Sequence, residues 1–443
     1  MVKLANAKKR TKRAWRTARV RNGAAGRLAN MIGSLFGVAP ILAGTALLLV
    51  GNGLFSTFIA LRMSMEGFAS GSIGLVVASY SVGFLIGCRF AGRLVRQVGH
   101  IRAFAILAGV MCAVVLLYPF LIGTISWTLL RALNGAAAAG MFMITESWLN
   151  HRTAADERGR VLAVYTISNK LAFGGGQFLL GLADPAGQLL FMAAAIAYTL
   201  SLVPVALTAK AAPPIEDGPR MGIRALYRAS PLGVVGVLLA GLVVSAISGM
   251  APVFAQRIGM STVEIGHFIA VLTVGGLILM WPIGWLSDRF DRRIVLIVTV
   301  IAMTLSAIGL AVAWSWSMLS LYVLIALFGG LSGAVYPICV THTNDFIDRS
   351  QVVSVSGSML LLWSVGATAG PLIASPLMDA FGPSALFWLA AGVSLALAVF
   401  VAYRRRMRVG RPVQEQSPFV AEAAITPIAS TLDPRAEPRS DRN

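Results

Sequence analysis

The sequence predicts an all-α membrane protein with twelve transmembrane helices arranged as two pseudo-symmetric six-helix bundles. Three observations lead there. The composition is too apolar for water, apolar runs long enough to cross a bilayer recur along the chain, and residues repeat between the halves at one offset. Of 443 residues, 57% are hydrophobic and 12% charged, and the mean hydropathy is +0.77. Soluble domains carry about a quarter charged residues, so the solvent this chain needs is lipid.

A spanning helix requires about 20 largely apolar residues, because a rise of about 1.5 Å per residue then covers a hydrocarbon core of about 30 Å. The stretches read as helices are 37–61, 72–92, 103–122, 125–149, 161–183, 189–209, 232–255, 265–286, 294–313, 318–341, 352–375 and 384–403. These runs lack the alternation of a barrel strand, which leaves the helix as the element that satisfies its own backbone in lipid. Cys88, Cys112 and Cys339 fall inside the spans, where a thiol packs as a small group. No disulfide framework, metal site or cofactor is expected.

The net charge of +19 would suit a nucleic-acid partner, but its distribution argues for topology instead. Residues 1–36 hold ten Lys or Arg and no acid, and basic residues recur at Arg93, Arg96, Arg102, Arg152, Arg158, Arg160, Lys210, Arg220, Arg224, Arg228, Arg289, Arg292, Arg293 and Arg404 to Arg406. The intervening loops hold little beyond Arg62 and Arg257. Such alternation places both termini in the cytoplasm of a bacterial inner membrane, with an even helix count and no nucleic-acid role. Residues 1–36 do not resemble a cleaved signal peptide and are expected to stay on the mature protein. They read as a solvated orienting tail or as an interfacial helix, with Trp15 and Leu4, held by anionic lipid. Residues 404–443, with Pro412, Pro418, Pro427, Pro434 and Pro438, read as a disordered tail.

A shift of 192 residues aligns Ile73 and Gly74 with Ile265 and Gly266, Val82 and Gly83 with Val274 and Gly275, and Gly92 and Leu94 with Gly284 and Leu286. The same shift carries Gly174 onto Gly366. The chain therefore divides into a bundle at 37–209, a polar linker at 210–231 and a bundle at 232–403. Parallel repeats of this kind build transporters whose substrate site lies between the halves near the midplane.

The residues themselves resemble the major facilitator superfamily. GWLSDRFDRR, Gly284 to Arg293, is similar to the family's loop motif, with Asp291 where a Gly is usual. Its first-half counterpart GRLVRQVGHIR, Gly92 to Arg102, places Arg96 where the family has an acid. RALNGAAAAG, Arg131 to Gly140, resembles the motif around an intramembrane Arg, and GATAGP, Gly366 to Pro371, resembles a Gly-Pro antiporter motif found on helix 5. Helix 5 itself reads FGGGQ, Phe173 to Gln177, without the Pro. ESWLN, Glu146 to Asn150, together with GHIR, is similar to a little-characterised bacterial branch.

The resemblance implies that helices 1, 4, 7 and 10 line a central cavity. Arg131 and Asn134 share one face of helix 4, and Asn52 on helix 1 is the expected hydrogen-bond partner of Arg131. As a permanent cation, Arg131 would hold an anionic substrate or favour the ionised form of a nearby acid; the alternative is a structural Arg capped by carbonyls. Glu146 is the candidate proton carrier, with Lys170 within reach of it across the hairpin, and a static ion pair is the alternative. Lys170 has the further option of snorkelling, and Gln177 lies one helical face from it. Gly174, Gly175, Gly176, Gly366 and Gly370 are expected to allow close and sliding contact between helices 5 and 11, which in the family face each other across the halves. Pro371 should kink helix 11.

The family's loop motifs also imply a cytoplasmic gate. Gly92 and Gly284 mark its two loops, Asp288 is expected to meet Arg158 and Arg160, and Arg96 is expected to meet Asp345 and Asp348 with the charges exchanged. The function implied is secondary transport of a small organic solute, with proton-coupled efflux ahead of proton-coupled uptake, by a monomer in contact with membrane lipid. A receptor or scaffold of the same fold is the competing class. No GxxxxGK followed by Ser or Thr supports direct ATP drive. His267, His342 and Asp345 are scattered, so no catalytic constellation is expected and the chain does not read as an enzyme. Cysteines introduced at 1, at 215 and beyond 410 are expected to label only from the cytoplasm, and those at 68 and 259 from outside. The reverse pattern in a membrane-impermeant maleimide assay would overturn the topology.

Overall fold

In the computed structural model the described residues are 38–153, 157–207, 221–313, 317–348, 351–407, 411–420 and 426. All of the expected N-terminal tail 1–36, including Leu4 and Trp15, part of the linker and most of the distal tail lie outside them. Twelve long helices run through the described residues: α1 Val38–Met65, α2 Ser70–Val98, α3 His100–Leu117, α4 Thr124–Arg152 and α5 Arg158–Phe178, then α6 Leu189–Ala206, which has a break at Ser201. The second half holds α7 Pro231–Arg257, α8 Thr262–Arg289, α9 Arg292–Ala313, α10 Met318–Asn344, α11 Val352–Phe381 and α12 Ala385–Met407. Ten of them are long and apolar enough to cross a membrane. The other two, α4 and α5, have 29 and 21 residues, long enough to span. They are more polar because they carry Arg131, Asn134 and Glu146, and Arg158, Arg160, Asn169 and Lys170.

Several helices run past the expected boundaries at one end of the bundle, where Arg96, Arg152, Arg158, Arg292 and Arg404 gather. Most of the first loop motif is thus helical, with Arg96 in the last turn of α2. The chain reverses only at Gly99, whose φ of 81° favours a residue without a Cβ. This end of the bundle is called the basic end below.

Each half is tied together where a glycine lets a neighbouring backbone approach. In the first half Gly83 lies on the carbonyl of Ala132 and Gly135 on that of Tyr80, joining α2 to α4. In the second, Gly275 lies on Ala326 and Gly329 on Leu272, joining α8 to α10. The α1 and α5 pair, with Gly53 on Phe173 and Gly176 on Val50, is repeated by α7 and α11, with Gly241 on Trp363 and Gly366 on Leu238. The offset of 192 therefore holds between α2 and α8. Between α5 and α11 it fails by two positions, since the contact that Gly366 makes is made by Gly176 and not by Gly174. Gly174 instead meets Thr273 and Val274 of the other half, and Gly175 has nothing within 4 Å.

Helices 5 and 11 do not face each other, as the resemblance had implied. The halves meet through α5 on α8 and α11 on α2. Their contacts cluster away from the basic end, where Gly74 meets Pro371 and Ser375, Gly249 meets Val77, and Gly181 meets Val263. The α11 helix runs unbroken through Pro371 and Pro376. Pro371 lacks the N–H that would bond Ala367 one turn back, and the Ser245 hydroxyl of α7 donates to that freed carbonyl at 2.6 Å.

If these backbone contacts hold the helices of each half together, Gly135→Val and Gly329→Val should each destabilise the protein by about 1–3 kcal/mol through overpacking. Gly175→Val should leave thermal unfolding in detergent nearly unchanged.

Candidate functional site

Among the described residues, polar clusters interrupt the apolar interior. The first surrounds Arg131, only 4% exposed. Its Nη2 donates to Ser56 Oγ at 3.0 Å and its Nη1 to Asn134 Oδ1 at 3.3 Å. The guanidinium lies 4.5 Å from the Tyr80 ring centre and 5.3 Å from that of Phe55. Asn52 does not touch it. Asn52 Nδ2 donates to the Tyr80 hydroxyl at 3.2 Å, while Ser56, one turn on, donates to Asn52 Oδ1 at 3.5 Å. Among the described residues no carboxylate faces Arg131, and its Nε has no partner. A cation at a helix centre costs at least about 2.5–3.5 kcal/mol on insertion scales; two aromatic faces offset part of that, at up to about 2 kcal/mol each when desolvated.

The second cluster lies toward the basic end. Glu146 is fully buried, and its Oε1 accepts from the Tyr165 hydroxyl of α5 at 3.0 Å. Its Oε2 accepts from the hydroxyl of Thr426, far along the chain. One residue earlier the Thr145 hydroxyl meets that of Thr45 at 3.1 Å, fixing α4 against α1. Lys170 pairs with no acid among the described residues, so the structure does not bring it to Glu146. Gln177 points instead at the other half, where its Oε1 accepts from Thr273 Oγ1 at 2.9 Å.

A third cluster, which the sequence reading passed over, closes the end opposite the basic one. Asp379 Oδ1 of α11 accepts from Ser70 Oγ at 2.5 Å and from Arg257 Nη2 at 3.0 Å; Arg257 also donates to Ser70. Two second-half charges thereby grip the first turn of α2. A signal was available, since Arg257 and Asp379 are charges at helix ends on a nearly charge-free face.

The fourth cluster gathers the expected gate residues. Asp345 is buried and pairs with Arg292 of its own half rather than with Arg96. Asp348 is exposed. Asp288 lies 3.6 Å from Arg292 and accepts from the Phe419 N–H at 2.7 Å, and neither Arg158 nor Arg160 is its partner. Gly92 is buried in α2, and Gly284 receives the Phe419 ring. Asp291 explains its own departure from the motif. Its Oδ1 accepts from the Arg293 N–H at 2.9 Å and from Nε at 3.1 Å, capping the start of α9. Partial burial by itself would raise its pKa, but these bonds and the Arg293 charge hold the carboxyl below the usual carboxylate range. No group of three or more His, Cys, Asp or Glu among the described residues is placed to hold a metal ion.

The Major Facilitator Superfamily profile matches residues 41–316 and again 236–436. The chain belongs to the major facilitator superfamily. It is 27% identical over 394 residues to the uncharacterized MFS-type transporter YE1530 of Yersinia enterocolitica, covering 87% of this chain and 98% of that protein. It is also 27% identical over 361 residues to YcaD of Salmonella enteritidis, likewise described as an uncharacterized MFS-type transporter, covering 81% and 93%. Among solved structures, the nucleoside transporter NupG superposes with a TM-score of 0.67 at 12% identity, over 83% of this chain and 98% of its own. A bacterial homologue of the lysosomal transporter Spinster, in an inward-facing and unoccupied conformation, gives 0.66 at 14%, over 92% and 99%. These likenesses share the fold, and the substrates remain those of the named proteins.

Arg131→Met keeps an apolar stem and removes the buried cation, but it orphans the Asn134 carbonyl. The two effects should nearly cancel, leaving stability within about 2 kcal/mol of wild type. Thermal unfolding of purified Arg131→Met checks this, and a far larger loss would assign the residue to structure alone.

Proposed function

We propose that the chain is a monomeric secondary transporter of a small organic solute in a bacterial inner membrane, working by alternating access and exchanging its substrate for protons. The observation that carries the reading is the way the halves join. They contact each other at the end opposite the basic one, through small residues and the Ser70, Arg257 and Asp379 bonds, while buried Arg131 and Glu146 lie within the first half and the buried Arg292 and Asp345 pair within the second. An interface of that kind parts without unfolding either half.

Within the reading, Arg131 with Asn134, Ser56 and Tyr80 presents donors and aromatic faces to a solute. Glu146 carries the proton, because a buried carboxyl held by the Tyr165 and Thr426 hydroxyls changes protonation without breaking an ion pair to Lys170. The basic end faces the cytoplasm, in accord with the positive-inside bias. Both termini lie on that side, and anionic lipid meets the arginines there. Efflux stays ahead of uptake on the strength of the Gly366 to Pro371 motif. A receptor or scaffold would not require a desolvated Arg131 and a desolvated Glu146 in one half.

The test begins with a thermal-shift screen of small organic solutes on the purified protein, since a true substrate stabilises the state that binds it. A stabilising solute should then drive proton movement in proteoliposomes carrying an internal pH dye. Glu146→Gln should retain the thermal shift and lose at least about tenfold in solute-coupled proton flux. Unchanged flux in that variant would remove Glu146 as the proton carrier.

A further inference from the structure

Residues 411–420 follow α12 and lie across the basic end of the second half. Arg411 sits 5.7 Å from the Phe346 ring centre. The Ser417 N–H and hydroxyl both donate to Asp345 Oδ1, at 3.0 and 2.8 Å, and the Ser417 carbonyl accepts from Arg292. Phe419 donates its N–H to Asp288 Oδ1 and lays its ring over Gly284, where a Cβ would overlap it. Thr426 then reaches the first half at Glu146.

We propose that residues 411–420, together with Thr426, form an autoinhibitory latch, parts of the chain's own tail that occupy the cleft between the halves at the basic end and must leave before they close there. The proposal rests on the alternating-access reading. The tail takes up the atoms on which closure of that end depends. Asp288 and Asp345 are the carboxylates that would receive cations from the first half, and the tail's N–H and O–H groups already take Oδ1 of each. Hydrogen bonds to a carboxylate are strong, so tail docking and gate closure compete for the same two carboxylates. The wedge is also steric, because it touches Glu146 on one half and Gly284 on the other. Pro418, which has no N–H to satisfy, leaves Ser417 and Phe419 as the donors on either side of it.

Gly284 has a second use here. The gap it leaves at the loop motif admits an aromatic ring, so the tail reads the motif through shape as well as through charge. Phe419 is the anchor by this account, and Ser417 sets the register. An acid at 417 would face Asp345 directly, where the Ser417 hydroxyl now donates, and be repelled by it.

The experiment uses the full chain with spin labels at Gln97 and Arg289, both exposed at the basic end of opposite halves. Wild type should show mainly the longer distance between labels. Phe419→Ala and Ser417→Asp should each shift the ratio toward the shorter distance by about threefold or more, since a small bias moves a balanced equilibrium that far. A synthetic peptide of residues 411–426 added to Phe419→Ala should restore the longer distance, and the same peptide with Ala at 419 should not. Two populations that ignore both substitutions and the peptide would overturn the latch alone. A single distance that no substitution, peptide or stabilising solute moves would overturn alternating access together with the latch.

Discussion

Backbone-to-backbone contact between helices is the constraint on which the rest of this structure depends. Lipid gives two apolar helices no reason to associate through the hydrophobic effect, so packing must come from close approach and from polar bonds between them. Gly83, Gly135, Gly275 and Gly329 each admit a carbonyl of the facing helix, and Gly53, Gly176, Gly241 and Gly366 do the same for the other helix pairs. The same device in both halves makes them alike. It also sets the helix faces that remain for α2, α5, α8 and α11, and these form the seam between halves.

Polar residues then occupy the places where that packing leaves them partners. Arg131 is tolerated because Tyr80 and Phe55 flank it and Ser56 accepts from it. Tyr80 is itself on the contact line, its carbonyl against Gly135. Glu146 depends on Tyr165 across the α4 and α5 hairpin. Each cluster thus borrows its geometry from a helix contact that would exist without it, and a packing change would move the chemistry. At the basic end the order is reversed, since Arg292, Asp345 and Asp288 organise the chain that follows α12.

Much of the candidate site was visible in the sequence as a set of residues and far less as a set of partners. Arg131, Asn134, Glu146 and Gln177 stood out because ionisable or amide side chains are rare in apolar runs. Their pairings did not follow from that. Helix number alone makes Asn52 the natural neighbour of Arg131, yet Ser56, one turn further along the same helix, takes that place. Lys170 and Glu146 have opposite charge on adjacent helices, but they lie at different depths and Tyr165 fills the site. Segment 411–420 read as disordered because it holds Pro412 and Pro418, whereas Phe419 and Val420 pack against the hydrophobic core.

By itself the sequence determined the helical class, the approximate place of each span, the gathering of basic residues at one end and the family. All of these rest on hydropathy, charge and motif, which act over one helix or less and can be counted along the chain. The tertiary structure alone decided that α5 packs on α8 and α11 on α2, that α5 and α11 are two positions out of the common offset, that Ser70, Arg257 and Asp379 meet, and that the tail lies across Asp288 and Asp345. These depend on which faces of distant helices are buried together. Rotating a helix about its own axis by a single residue, about 100°, changes every such partner while leaving its hydropathy and composition the same.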